Sequence, residues 1–193
     1  SVYLGFKEYD NTPDFGSPGA SATCNVNVVC PQGSGWANER NSVAIIKADD
    51  SHFCGALVMN TCGTNRPFLL TANHARAAKP DVDEYVFQFL FFSTDCNSNV
   101  GYREDLQFYG STLKAASALS DFTLLELNQI PAANTGLTYA GWTTQTNQIF
   151  STTMLHHPAA DVMKISQDYQ SPQFVTLQPS GMQCWRTELD LGG

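Results

Sequence analysis

The sequence predicts an all-β protein of two antiparallel, six-stranded β-barrels, the first complete and the second incomplete, on three observations. From Cys24 onward, short β-prone runs recur at the interval expected of a barrel. A stretch holding Pro131 and two Asn, Asn128 to Thr135, divides those runs into two sets. Over 193 residues, 42% hydrophobic and 15% charged side chains give an ordinary globular composition that can bury a core.

The elements follow in order. The first twenty residues are rich in Gly, Pro, Asp and Asn and carry no helical or alternating period, so 1–23 reads as an extended arm. A first barrel, 24–128, takes six runs: Ser42 to Ala48, Phe53 to Met59, Pro67 to Ala72, Tyr85 to Phe92, Gln107 to Lys114 and Phe122 to Leu127. The remainder, 129–193, holds Leu137 to Trp142, Gln148 to His156, Val162 to Ser166, Gln173 to Leu177 and Cys184 to Leu189, the first part of a second barrel. An open barrel exposes edge strands and half an apolar interior, a state that aggregates unless something pairs with it. The expectation is therefore a continuation past Gly193, a second chain that supplies the missing strands, or a degenerate form.

Two positions draw chemistry. The apolar run Phe68-Leu69-Leu70 ends in Thr71-Ala72-Asn73-His74, which seats a histidine just past a buried strand, with rigid scaffold behind it and open space in front. His74 is the candidate general base; the competing reading is a packed or surface histidine. Asp121 opens the Leu-rich strand Phe122 to Leu127, at its mouth and partly buried. A buried carboxylate wants a hydrogen-bonding partner, and an imidazole N–H serves, because the pair fixes the tautomer and stabilises the imidazolium. A turn or capping role is the alternative for Asp121.

Cys54-Gly55-Ala56-Leu57-Val58, Phe68 to His74 and Asp121 to Leu127 resemble the first two-thirds of a chymotrypsin-fold serine protease. More narrowly, Cys24 to Pro31, Ser120 to Leu127, Ala140-Gly141-Trp142 and His156-His157-Pro158 resemble the bacterial lysyl endopeptidase group, in the same order. The resemblance implies a secreted, trypsin-like endopeptidase that works through an acyl-enzyme, with His74 as base and Asp121 as its orienting acid. The family's nucleophile lies in a Gly-x-Ser-Gly turn after the Asp, and no such turn occurs in these 193 residues. Ser180, in Pro179-Ser180-Gly181, is the nearest imitation and reads as a turn residue. The serine is expected on a C-terminal continuation or a second chain, so this chain alone should be inert. The acid that sets a lysine preference would also lie further on. The resemblance pairs Cys30 with Cys96 and replaces the cysteine that follows the catalytic His by Ala75, which makes a local Cys54–Cys62 bridge attractive. Cys24 and Cys184 then either pair with each other or leave a thiol free.

A formal charge of −8 and a pI near 4.7 argue against nucleic acid or an anionic membrane surface as partner, since either needs a basic stripe. The longest apolar run, around Tyr85 to Phe92, is far too short to cross a bilayer. Six cysteines without a Cys-x-x-Cys pair point to disulfides and an oxidising compartment, extracellular or periplasmic, rather than zinc. No signal peptide opens at Ser1, consistent with a mature or trimmed secreted chain. Adjacent His156 and His157 point to opposite faces of a strand, which disfavours one shared ion. His52 reads as an exposed turn residue, and Trp142, Trp185 and the Tyr85 to Phe92 aromatics as core. No metal or cofactor is implied, and the expected partner is a protein or peptide substrate. The runner-up is an inactive protease-like secreted domain that uses the old cleft to bind a protein.

Overall fold

The computed structural model describes residues 21–49, 51–58, 66–99, 101–102, 106–144 and 149–192. The expected arm lies outside these as far as residue 20. After β1 (Val26–Asn27) and a single helical turn, α1 (Ala37–Arg40), the chain enters β2 (Val43–Ala48), β3 (Ser51–Val58) and β4 (Phe68–Ala72). A short helix, α2 (Asn73–Ala78), leads to β5 (Val86–Phe89), the two-residue pair β6 (Phe92–Ser93) and β7 (Gly101–Tyr102), then β8 (Gln107–Tyr109), β9 (Ser111–Ser117) and β10 (Phe122–Leu127).

Seven of these form one antiparallel sheet in the order β8-β5-β2-β3-β4-β10-β9. Its two outermost members, β8 and β9, are separated in sequence only by Gly110. They act as one bent strand, so the sheet closes on itself as the expected six-stranded barrel. The bend requires glycine: Gly110 has φ +72°, and a Cβ there would stand 2.8 Å from the Asp83 carbonyl oxygen. Alternation fills the interior. Ala44, Ile46 and Ala48 of β2 point inward with Leu57, Leu69, Phe87, Phe89 and Leu125. Ile45, on the other face of β2, packs with Phe91, Ala160 and Val162.

The second set consists of β11 (Thr152–His156), β12 (Lys164–Asp168), β13 (Gln173–Leu177) and β14 (Met182–Arg186). β12 is the centre of a three-stranded sheet, with β11 on one side and β1 on the other. β13 and β14 form a separate two-stranded ribbon. Val28 and Ile165 join Val43 and Ala56 in one apolar cluster, so the outer face of the closed barrel is the floor on which the second set rests.

Boundaries move where the backbone must bend. The expected Tyr85 to Phe92 strand splits, because Leu90 takes φ +56° and turns the chain out of the sheet between β5 and β6. Gln107 to Lys114 splits at Gly110. Leu137 to Trp142 forms no strand; Ala140 makes one bridge to Val58, its N–H donating to the Leu57 carbonyl at 2.8 Å. Trp142, expected in the core, is 53% exposed; Leu137 and Tyr139 of the same segment, not Trp142, pack against the barrel's apolar cluster. His52 lies within β3 opposite Lys47, not in a turn. Tyr85, Phe87, Phe89 and Phe91 are buried as expected.

Candidate active site

The pairing of β4 with β10 builds the site. Their register sets Ala72 opposite Phe122 at the last rung, so the residues that leave the sheet at that end, Asn73-His74 on one strand and Asp121 on the other, emerge side by side. Asp121 closes the turn between β9 and β10 with φ +47°, a left-handed conformation that Asp tolerates better than most side chains. Its carbonyl accepts the Asn73 N–H at 3.2 Å. Its carboxylate is divided between two donors: Oδ1 accepts the His74 backbone N–H at 2.8 Å, and Oδ2 accepts Nδ1–H of the His74 ring at 2.6 Å.

Those bonds fix both the backbone and the ring of one residue from one carboxylate. The tautomer follows, because a carboxylate only accepts; Nδ1 carries the proton and Nε2 holds the lone pair. The Asp121 side chain is 23% exposed and that of His74 is 57% exposed. The anion is thus held in the protein while the imidazole stands at the surface. Such a pair can take a proton at Nε2 from an acid brought to it and stabilise the resulting imidazolium. Residues past β4 form α2 rather than a turn, since Asn73-His74-Ala75-Arg76-Ala77-Ala78 is rich in helix-forming Ala, and Arg76 Nη2 donates to Asn73 Oδ1 at 3.0 Å. Both readings of Asp121 hold together: it is a turn residue and the partner of His74. The left-handed backbone and the His74 N–H to Oδ1 bond left no signal in the sequence.

The other candidates stand apart. Ser180 lies in the β13–β14 turn, where its hydroxyl donates to the Leu177 carbonyl and accepts the Met182 N–H, both at 3.3 Å. His156 Nε2 is 2.9 Å from Ser166 Oγ, which donates to the Gly192 carbonyl at 2.6 Å. His157 is 6% exposed and stacks on Phe91 with its Nδ1–H donating to the Asp161 carbonyl at 2.9 Å. Burial holds its pKa down, at about 4, against the opposing pull of that carbonyl. Among the described residues no cluster of His, Cys, Asp and Glu could hold a metal ion.

Cys30 and Cys96 are joined, as the resemblance implied. Cys24, Cys54 and Cys184 carry free thiols, so neither the Cys24–Cys184 bridge nor the Cys54–Cys62 bridge forms. Cys24 precedes β1, which pairs with β12, while Cys184 lies in the separate β13–β14 ribbon. The Cys54 sulfur instead accepts the His157 N–H at 3.3 Å, and burial raises its pKa to about 11. Cys62 falls outside the described residues. No helix among the described residues is long and apolar enough to cross a membrane.

A family model described as "Lysyl endopeptidase, C-terminal domain" matches residues 18–192. Among solved structures, Rv3671c from M. tuberculosis H37Rv, a serine-to-alanine mutant in an inactive form, matches with a TM-score of 0.53 and 11% identity over 94% of this chain and 76% of that one. The Rv3671c protease, inactive form, matches with a TM-score of 0.49 and 10% identity over 79% of this chain and 68% of that one. At 11% identity the first is a likeness of fold.

Proposed function

This chain belongs to the lysyl endopeptidase C-terminal domain family, and from that premise we propose that it is the part of a secreted serine endopeptidase that holds the general base and its orienting acid. The observation that carries the reading is the His74–Asp121 pair, with Nδ1 on Oδ2 at 2.6 Å at the mouth of two paired strands. In this reading His74 Nε2 takes the proton of a serine hydroxyl as that oxygen attacks the peptide carbonyl, and then delivers it to the leaving amine. Asp121 keeps its charge throughout and holds the imidazolium in place. The serine, the oxyanion-hole N–H groups and the acid of a lysine pocket belong to a C-terminal continuation or to a second chain that completes the second barrel. The Cys30–Cys96 disulfide supports an oxidising, extracellular or periplasmic setting.

The test is made on the product of the complete gene, purified under non-reducing conditions. It should take a fluorophosphonate label on serine and hydrolyse peptides. His74→Ala should lose on the order of 10⁶ in kcat and Asp121→Asn on the order of 10⁴, while both keep wild-type circular dichroism. A complete protein that neither labels nor hydrolyses, or a His74→Ala variant that retains full turnover, overturns the reading.

A further inference from the structure

On the outer face of the barrel, β8, β5, β2 and β3 together floor a concavity of about 280 Å³. Two cross-strand rows make the floor. One runs His52, Lys47, Val86, Tyr109; the other runs Ile45, Gln88, Gln107. Phe91 and Ala160 form the apolar wall. The rim is polar and its sign is unusual for this protein. On a chain with 18 acidic and 10 basic residues, none of the described residues lining this concavity is a carboxylate, and Lys47 presents an exposed ammonium to it. The two glutamine amides beside it offer both donors and acceptors, as an extended backbone requires.

The β3–β4 register connects this groove to the candidate active site. Ala56 pairs with Leu70. Farther along β3, Thr71 Oγ1 of β4 donates to the Cys54 carbonyl at 2.6 Å, so the groove residue His52, two positions away on β3, lies beside the end of β4 from which His74 emerges. His52 and Lys47 thus face each other on neighbouring strands, and His74 leaves the sheet at the adjoining end of β4. At ~4.8 Å per strand, Lys47 on β2 stands ~10 Å across the sheet from the line of β4, which an extended peptide at ~3.3 Å per residue covers in about three residues.

Resting on the endopeptidase reading above, we propose that this groove is a substrate subsite that selects an acidic side chain two to three residues to one side of the scissile bond, with Lys47 as the specificity-determining residue. The peptide lies across the strands, its backbone amides meet Gln88 and Gln107, and its carboxylate meets Lys47. An overall negative protein gains selectivity from such a site, because most of its surface repels an acidic peptide.

Binding is read without hydrolysis, so it succeeds or fails independently of the nucleophile. The probes are acetyl-Gly-Glu-Glu-amide and acetyl-Gly-Gln-Gln-amide, titrated into the ¹⁵N-labelled chain. The acidic peptide should bind about two- to five-fold more tightly, the range expected of one exposed charge pair, and should shift amides of residues 45–47, 86–88 and 107–109. Lys47→Gln should abolish the difference and Lys47→Glu reverse it, while Lys114→Gln, whose lysine pairs with Glu126 on β10, should leave it intact. On the active complete protein, a positional peptide library should show an acidic preference at the second or third position from the cleaved bond on one side, lost in Lys47→Gln. Equal binding of the two probes, shifts that map elsewhere, or a preference unmoved by Lys47→Gln overturns the proposal. A protein that binds as expected but never hydrolyses refutes the endopeptidase reading instead, and with it the role of the groove as a substrate subsite.

Discussion

Replacing His157 by glutamine should remove a large part of the acid sensitivity of this fold. In the folded chain the ring is buried against Phe91 and its Nε2 finds no hydrogen-bond partner among the described residues, so the folded state resists the second proton and the pKa falls from 6.5 to about 4. The unfolded chain takes that proton near pH 6.5. Stability from this group is thus fully present above pH 6.5 and is lost as pH falls toward 4, because in that window the unfolded state binds a proton that the folded state does not. At ~1.4 kcal/mol per pH unit, the full loss is about 3 kcal/mol, of which about 2 kcal/mol has gone by pH 5. Glu126, which Arg66 and Lys114 hold down at about 2, contributes its own loss below its ordinary carboxylate range and leaves the interval from pH 7 to 5 largely undisturbed. Urea unfolding at about pH 7 and pH 5, for wild type and His157→Gln, measures the effect as a difference of differences in which the remaining histidines cancel. The wild type should lose ~2 kcal/mol more than the variant over that interval. Parallel losses in the two proteins, or a His157 ring that titrates near pH 6.5 by NMR in the folded protein, would refute the reasoning.

Two further outcomes are expected. Lys164 is 3% exposed, with its ammonium 3.3 Å from buried Asp161 and donating to Asn27 at 2.7 Å and Asn99 at 2.9 Å. Lys164→Met should cost about 3 to 5 kcal/mol, because it leaves the Asp161 charge buried without its cation, and adding Asp161→Asn should recover part of that loss in chemical denaturation. Opening the Cys30–Cys96 bridge, which spans 66 residues of sequence, as the Cys30→Ser/Cys96→Ser double variant should destabilise the protein by about 4 kcal/mol on the loop-entropy estimate, visible as a lower urea midpoint.

The sequence by itself determined the barrel and singled out His74 and Asp121, which the structure brings into contact. The β-prone runs Ser42 to Ala48 and Phe68 to Leu70 read as strands with a buried face, and six such runs before Asn128 are what the closed sheet uses. His74 and Asp121 stood out because each is a polar residue at the end of an apolar strand, where the chain emerges from the core with its direction already set. Local pattern was silent wherever the deciding contact is long-range. Leu137 to Trp142 has strand composition but, among the described residues, makes a single bridge, from Ala140 to Val58, far earlier in the chain. Cys54 faces away from the barrel interior toward the His157 N–H, a contact across 103 residues that no spacing reveals. Val26–Asn27 lies far from Lys164 and Ile165 in sequence yet completes their sheet. The 2.6 Å contact between His74 and Asp121 was likewise decided by the register of β4 on β10. Register depends on which residues of two distant strands share a buried face, and that is fixed only when the whole barrel closes.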